Sequence, residues 1–110
     1  MEDRSFRSLA ALRAFVAAAR LGSFAHAAAS LGLTAPAISH QTRKLERELG
    51  QRLFDRNQTG AVLTAAGRRL HPLVERGFRE LSRGVAEMKV PVVPDHVTRP
   101  ILGLTSRSVR

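Results

Sequence analysis

The segment SFAHAAASLGLTAPAISHQTRKLEREL, residues 23–49, predicts two short helices joined by a tight turn. Ser23 can cap the first helix, because its hydroxyl accepts a backbone N–H bond, and apolar residues then recur at helical spacing as far as Leu31. Thr34 can cap the second helix, and Pro36 lies in its first turn, where the missing N–H is not needed. Two helices with so short a joint are typical of a helix-turn-helix.

The second of these helices has an apolar side and a polar, basic side. The residues predicted to face inward are Ala37, Ile38, Thr42, Leu45 and Leu49, and those predicted to face outward are Ser39, His40, Arg43, Lys44 and Arg47. A solvated surface would explain the outward set. The adjacent turn favours a second interpretation, in which the helix N-terminus and these side chains meet the base edges and phosphates of DNA.

Two further helices are predicted on either side of this segment. Upstream, apolar residues at helical spacing predict a helix from about residue 5 to Leu21. Downstream, Thr64 can cap a long helix over residues 65–89, whose apolar residues step by four and three, as in a coiled coil. These residues are Val74, Phe78, Leu81, Val85 and Met88. They could pack on their own domain, but a helix of about 25 residues at 1.5 Å each is too long for that alone, which favours dimerisation.

Between the helices, RLFDRNQTGAVLT, residues 52–64, predicts two short strands around an NQTG turn. Such a hairpin would form a β-wing beside the helix-turn-helix, with Arg56 at its base. Arg56 could also be an ordinary surface residue paired with Asp55 or Glu48. After the long helix, VPVVPD, residues 90–95, predicts a linker, and the chain from Arg99 begins like a β-strand.

The charge of the chain favours a polyanionic partner. Its 110 residues contain 18 Lys and Arg against 9 Asp and Glu, a formal net charge of +9 spread along the sequence. Nucleic acid is favoured over a membrane or an acidic protein. An Ala-rich start with spaced arginines is also similar to an organelle transit peptide, but Glu2, Asp3 and the Gly22-Ser23 break oppose that interpretation.

The sequence shows no group of residues with the spacing of a metal site, a catalytic site or a nucleotide-binding loop. There is no Cys, and the four histidines stand far apart without metal-ligand spacing. No Ser/His/Asp arrangement and no Gly-rich nucleotide loop is present, and no apolar run reaches the roughly 20 residues that span a bilayer. The sequence therefore predicts no catalysis, no metal, no cofactor and no membrane partner.

The blocks GSF…AA…L, PAIS.Q…LE.ELG..LF.R and LT.AG occur in order within residues 9–89. In their order and spacing they resemble the DNA-binding domain of the LysR-type transcriptional regulators, over about three quarters of the chain. The tripeptide SHQ resembles the subgroup around the glycine-cleavage and β-lactamase activators. The resemblance implies a mainly α fold: a winged helix-turn-helix of three helices and a short β-hairpin in residues 1–64, then a linker and dimerisation helix in 65–89. Residues 90–110 would be a linker and the truncated first strand of an effector-binding domain.

The resemblance also implies a cytoplasmic, nucleoid-associated bacterial protein that regulates transcription from partly palindromic promoter sites. It would bind double-stranded DNA as a homodimer, or as a tetramer when full length, and a small-molecule effector would act only through the absent C-terminal domain. The residues that match DNA-contacting positions are Ser23, Thr34, Ala35, Pro36, Ala37, Ser39, His40, Arg43, Lys44 and Arg56. Arg56 matches the wing arginine that enters the minor groove. Relatives commonly have glutamine at the position of Ala35, so the base preference of this protein should differ from the commonest pattern of the family.

Three classes of function stay in view. The first is a DNA-binding part of a transcriptional regulator. The second is a truncated dimerisation module that modulates a full-length regulator by hetero-association. The third is a cationic amphipathic protein at a membrane surface, which a hairpin wing would not serve.

Overall fold

The computed structural model describes residues 8–89, which contain four helices. They are α1 (Leu9–Leu21), α2 (Phe24–Leu31), α3 (Ala35–Leu49) and α4 (Ala65–Lys89). The linker and the truncated strand predicted in residues 90–110 lie outside the described residues. The chain divides into two compact units, the first ending at Phe78 and the second beginning at Arg79.

Local capping sets the ends of the first three helices. The Ser23 hydroxyl accepts from the His26 N–H at 3.0 Å, and the Thr34 hydroxyl accepts from the Ala37 N–H at 3.2 Å, so the predicted starts of α2 and α3 are confirmed. The start of α1 near residue 5 is wrong, because Ser8 is extended and caps a helix that begins at Leu9. All three helices end at a glycine in the left-handed conformation: Gly22, Gly32 and Gly50.

The core of the first unit lies where α1, α2 and α3 meet. Four alanines are fully buried, and their small side chains let the helices approach closely: Ala11, Ala14, Ala18 and Ala27. The aromatic centre is Phe54, whose ring meets the edges of Phe15 and Phe24 at centroid distances of 5.6 and 5.2 Å. The first half of α4 packs on this core through apolar side chains such as Leu70. Its Glu75 carboxylate also pairs with Arg20 of α1 at 3.3 Å.

The inward side of α3 is largely as predicted. Ile38, Thr42 and Leu45 are buried. Leu49 is 39% exposed, so its predicted place in the core is wrong: it is the last residue of α3 and lines an open surface groove with Leu70 and Leu73 of α4. A charged residue, Glu46, is buried on this side instead.

The predicted β-wing is a turn closed by one isolated antiparallel bridge, between Phe54 and Leu63. Two backbone bonds close it, from the Asp55 N–H to the Val62 carbonyl at 2.7 Å and from the Thr64 N–H to the Leu53 carbonyl at 2.9 Å. No extended strand forms within residues 8–89. The apolar residues that suggested strands are used differently, because Leu53 and Phe54 are buried in the helical core and α4 begins directly after Thr64.

Gly67 allows α4 to pack closely against the segment that closes this turn. A Cβ there would overlap the Leu53 carbonyl oxygen and lie 2.8 Å from Cδ2 of Leu63. We therefore expect Gly67→Ala to lower the free energy of unfolding by about 1 to 3 kcal/mol. Gly77→Ala is the matched control, because a Cβ at Gly77 meets nothing within 4 Å and should raise stability by about 0.5 to 1 kcal/mol. Urea unfolding measures both, and a shift of the same sign would contradict this packing.

Along α4, the apolar residues differ in exposure. Val74 and Phe78 pack against the core of the first unit. In the second unit, the side chains of Leu81, Val85 and Met88 are 54%, 53% and 80% exposed. None of the helices described between residues 8 and 89 combines the length and apolar character of a membrane span.

Candidate nucleic-acid interface

The predicted DNA-contacting residues of α3 lie together on one end and one face of that helix. Thr34, Pro36, His40 and Arg43 are exposed, and the half-buried members of the set are Ser23, Ala35, Ala37, Ser39, Lys44 and Arg56. Ser39 and Arg43 are one turn apart and therefore share a face. The structure thus brings the α3 residues together at the surface.

The N-terminus of α3 has few free donors for a phosphate. Pro36 has no N–H, the Ala37 N–H is bonded to the Thr34 hydroxyl at 3.2 Å, and the Ile38 N–H is bonded to the Thr34 carbonyl at 3.1 Å. The Ala35 N–H is the remaining first-turn donor. An anion at this end would therefore rely on the helix dipole and on side chains more than on backbone donors.

On the inner side of α3, the carboxylate of Glu46 fixes the chain that leaves the helix. Its Oε2 accepts the backbone N–H of Leu53 at 2.8 Å and that of Phe54 at 3.1 Å. Its Oε1 accepts from Nη2 of Arg56 at 3.0 Å. One buried carboxylate therefore joins α3 to the segment that enters the following turn.

Arg56 is directed towards α3. Its Nη2 also donates to the Thr42 hydroxyl at 3.2 Å, and its Nη1 lies 3.4 Å from the Ser39 hydroxyl. The guanidinium carbon stands 5.3 Å from the centroid of the Phe24 ring, and the side chain is 17% exposed. The ion partner of Arg56 is Glu46, not Asp55 or Glu48, and a minor-groove contact by the same guanidinium would require it to leave that carboxylate.

The environment of Glu46 keeps it ionised. Burial alone would raise its pKa, but the N–H groups of Leu53 and Phe54 and the guanidinium of Arg56 outweigh that effect and lower the pKa below its ordinary value of 4.5. Sequence reasoning missed this residue because a glutamate on a helix is usually solvated. The position of Glu46 in the sequence indicates its burial, because it follows Thr42 by four residues and Ile38 by eight and so lies on the apolar side of α3.

This arrangement defines a class of protein. Two short capped helices with a three-residue joint, packed on a third helix, leave the polar face of the second one free, which is the geometry of a helix-turn-helix protein. Residues 9–68 match the family described as bacterial regulatory helix-turn-helix protein, lysR family. The chain belongs to this LysR family.

Relatives and solved structures are similar to this chain over most of its length. The HTH-type transcriptional regulator PerR of Escherichia coli K12 is 51% identical over 75 residues, 68% of this chain and 25% of that protein. The HTH-type transcriptional activator AmpR of Rhodobacter capsulatus is 47% identical over 81 residues, 74% of this chain and 28% of that protein. The crystal structure of the BenM_DBD/benA site 1 DNA complex superposes with a TM-score of 0.70 at 30% identity, covering 74% of this chain and 92% of the other.

The chain spans about a quarter of the length of the curated relatives that it matches. The family match at residues 9–68 covers α1 to α3, the following turn and the first residues of α4.

Proposed function

We propose that this chain binds double-stranded DNA with sequence preference and is the DNA-binding part of a bacterial transcriptional regulator. The observation that carries the proposal is the division of α3 into two sides. Its inner side is fixed in the core by Ile38 and Leu45 and by the Glu46 carboxylate. Its outer side presents His40 and Arg43, whose side chains make no hydrogen bond or ion pair within the described residues, and Ser39, whose hydroxyl lies 3.4 Å from Nη1 of Arg56. A rigid helix with a free hydrogen-bonding face suits entry into a major groove.

The residues of this face have different proposed tasks. Ser39 and His40, about one turn from the start of the helix, contact base edges, and Ala35 contacts a thymine methyl group. Arg43 and Lys44 contact phosphates and set the register. The sugar-phosphate backbone can approach the N-terminus of α3 because the side chains there are small: Ser23, Thr34, Pro36 and Ala37.

We place Arg56 in this interface as well. Its contact with the Ser39 hydroxyl holds a proposed base-reading side chain from behind. A direct minor-groove contact by Arg56, which the family resemblance implies, would require the guanidinium to leave the Glu46 carboxylate for the DNA. This change has a free-energy cost, because it leaves a buried carboxylate without its partner.

We also propose that the regulator acts as a homodimer through α4. Leu81, Val85 and Met88 are large apolar side chains that are more than half exposed, and they continue the four-three spacing that begins at Val74 and Phe78. A two-fold dimer would match a partly palindromic site. The same side chains would serve the alternative of a truncated module that associates with a full-length regulator, but that module would need no base preference.

The names of the relatives support this proposal, since they are called transcriptional regulators or activators, and a solved neighbour is described as a complex with DNA. In a whole regulator, we place tetramer formation and binding of a small-molecule effector in residues beyond the matched segment. We place the protein in the bacterial cytoplasm, at the nucleoid, because that is where its proposed partner lies.

Salt dependence tests the proposed DNA contact. Each arginine on a phosphate releases counterions, so the parent's affinity should fall steeply with salt, and Arg43→Ala should flatten the log–log slope by about one unit. The variant should weaken binding to all sequences similarly, because phosphates carry no sequence information. Arg76→Ala, at an exposed position on α4, is the control and should leave the slope unchanged. A flat salt profile for the parent would contradict the nucleic-acid proposal.

A further inference from the structure

The outer face of α3 runs into an open groove of about 480 Å³ at the C-terminal end of the helix. Four arginines line it: Arg43, Arg47, Arg52 and Arg56. The acidic residue among its lining residues is Glu46. A surface concavity with this composition attracts anions.

The charge of the groove is not neutralised from within. The Oε1 of Glu46 is taken by Arg56 and its Oε2 by two backbone N–H groups, so this carboxylate is fully engaged. Within residues 8–89, none of the ion pairs includes Arg43, Arg47 or Arg52. Four arginines less one glutamate leave a net charge of +3 in the groove.

The C-terminus of α3 opposes this charge only weakly. A helix C-terminus carries about half a negative charge, and exposed charge–dipole interactions of this kind are worth about 0.3 to 1 kcal/mol. Two of the terminal carbonyls are already bonded, that of Arg47 to the Gly50 N–H at 3.3 Å and that of Glu46 to the Gln51 N–H at 3.1 Å. Three full positive charges therefore outweigh the dipole, and the groove favours an anion.

We infer that this groove binds the phosphodiester backbone that borders the major groove, with Arg47 and Arg52 as its phosphate ligands. The inference rests on the proposed function, which assigns base contacts to Ser39. Ser39, Arg43 and Arg47 follow each other at four-residue steps, so they share one face. Eight residues at 1.5 Å each place Arg47 about 12 Å beyond Ser39.

That distance fits the dimensions of DNA. The major groove is about 12 Å wide, so a helix whose Ser39 reaches base edges brings Arg47 to the strand that bounds the groove. Arg52, which follows the helix end at Gly50, lines the same groove of the protein as Arg47. Guanidinium groups suit this task because their planar donors pair with two phosphate oxygens at once. These two arginines extend the contact beyond the bases that the helix reads.

The test compares duplexes of two lengths, one ending at the recognised bases and one extended by half a helical turn. The parent should bind the longer duplex more tightly, and Arg47→Ala/Arg52→Ala should lose that gain and lower the salt slope by about two units. Arg13→Ala/Arg76→Ala removes the same charge from exposed positions outside the groove and should keep the gain. Arg47→Lys/Arg52→Lys should restore most of the slope, because it restores the charge.

The outcomes separate this inference from the proposed function. A parent that binds no duplex of either length contradicts the proposed function itself. A parent that binds both lengths equally, or a double alanine variant that keeps the gain, overturns the groove assignment alone. Pyrophosphate tests, through the parent's thermal unfolding, whether a free anion, and not DNA, is the occupant of the groove. A pyrophosphate shift that disappears in the double alanine variant, without any dependence on duplex length, would assign the groove to a free anion and overturn the inference.

Discussion

Glu46→Ala is expected to lower the free energy of unfolding by about 3 to 5 kcal/mol, the usual effect of removing one member of a buried ion pair. The substitution leaves the Arg56 guanidinium, in a side chain only 17% exposed, without a counter-charge. It also removes the acceptor of two backbone N–H groups, those of Leu53 and Phe54. For a domain of this size the midpoint of thermal unfolding should fall by more than about 10 °C.

Circular dichroism during urea unfolding measures this effect. Glu48→Ala is the matched control, because Glu48 is exposed on the same helix and its loss should change stability by less than about 0.5 kcal/mol. If Glu46→Ala stayed within about 1 kcal/mol of the parent, the carboxylate would not be the joint between α3 and the following turn.

The dependence on pH has a definite sign. Because folding lowers the pKa of Glu46 below its ordinary value of 4.5, the stabilisation that its ionised form provides is fully present above pH 4.5. It is lost as the pH falls through the lower, folded-state pKa. The parent should therefore lose stability in acid more steeply than Glu46→Gln, which cannot ionise at this position. Parallel curves for the two proteins would contradict the assignment.

Leu81→Asp is expected to convert the proposed dimer into a folded monomer and to weaken DNA binding by about 10² to 10⁴ fold. In a dimer, two such carboxylates would face each other across the α4 seam and would also lose apolar contact. A monomer gives up the intramolecular second contact and binds half-sites only. The first unit should stay folded, because Leu81 is 54% exposed and belongs to the second unit.

Sedimentation and circular dichroism of the same sample test this prediction. Ala86→Asp is the control: it places the same charge on α4, rotated by about 100° from Val85. It should remain dimeric. A Leu81→Asp variant that also stays dimeric would place the interface elsewhere, and one that unfolds would place Leu81 in a core.

Sequence was sufficient where structure is set locally. The helix starts at Ser23 and Thr34 depend on a hydroxyl that bonds to a backbone N–H three residues later, so a short pattern contains the whole interaction. The end of α3 at Gly50 depends on a left-handed backbone that favours glycine. Helical spacing was likewise enough to place Ile38 and Leu45 in the core.

Sequence was insufficient where the partner lies elsewhere in the chain. Leu53 and Phe54 are residue types that favour a strand, yet both are buried among the helices and only one β-bridge forms in this part of the described chain. The pairing of Glu46 with Arg56 spans ten residues and a turn, and a one-dimensional pattern offers Asp55 and Glu48 as equally good partners. The orientation of Arg56 towards α3 follows from this pairing, so its place could not be derived from its position at the base of the loop.

The central claim is that the outer face of α3 reads the sequence of duplex DNA, and selection from a random duplex library tests it most directly. The parent protein is equilibrated with the library near physiological salt, and the bound duplexes are sequenced over successive rounds. The predicted result is enrichment of one recurrent, partly palindromic site whose half-sites are separated by about one helical turn or a multiple of it. Bound duplexes with the same base composition as the input library would contradict the claim.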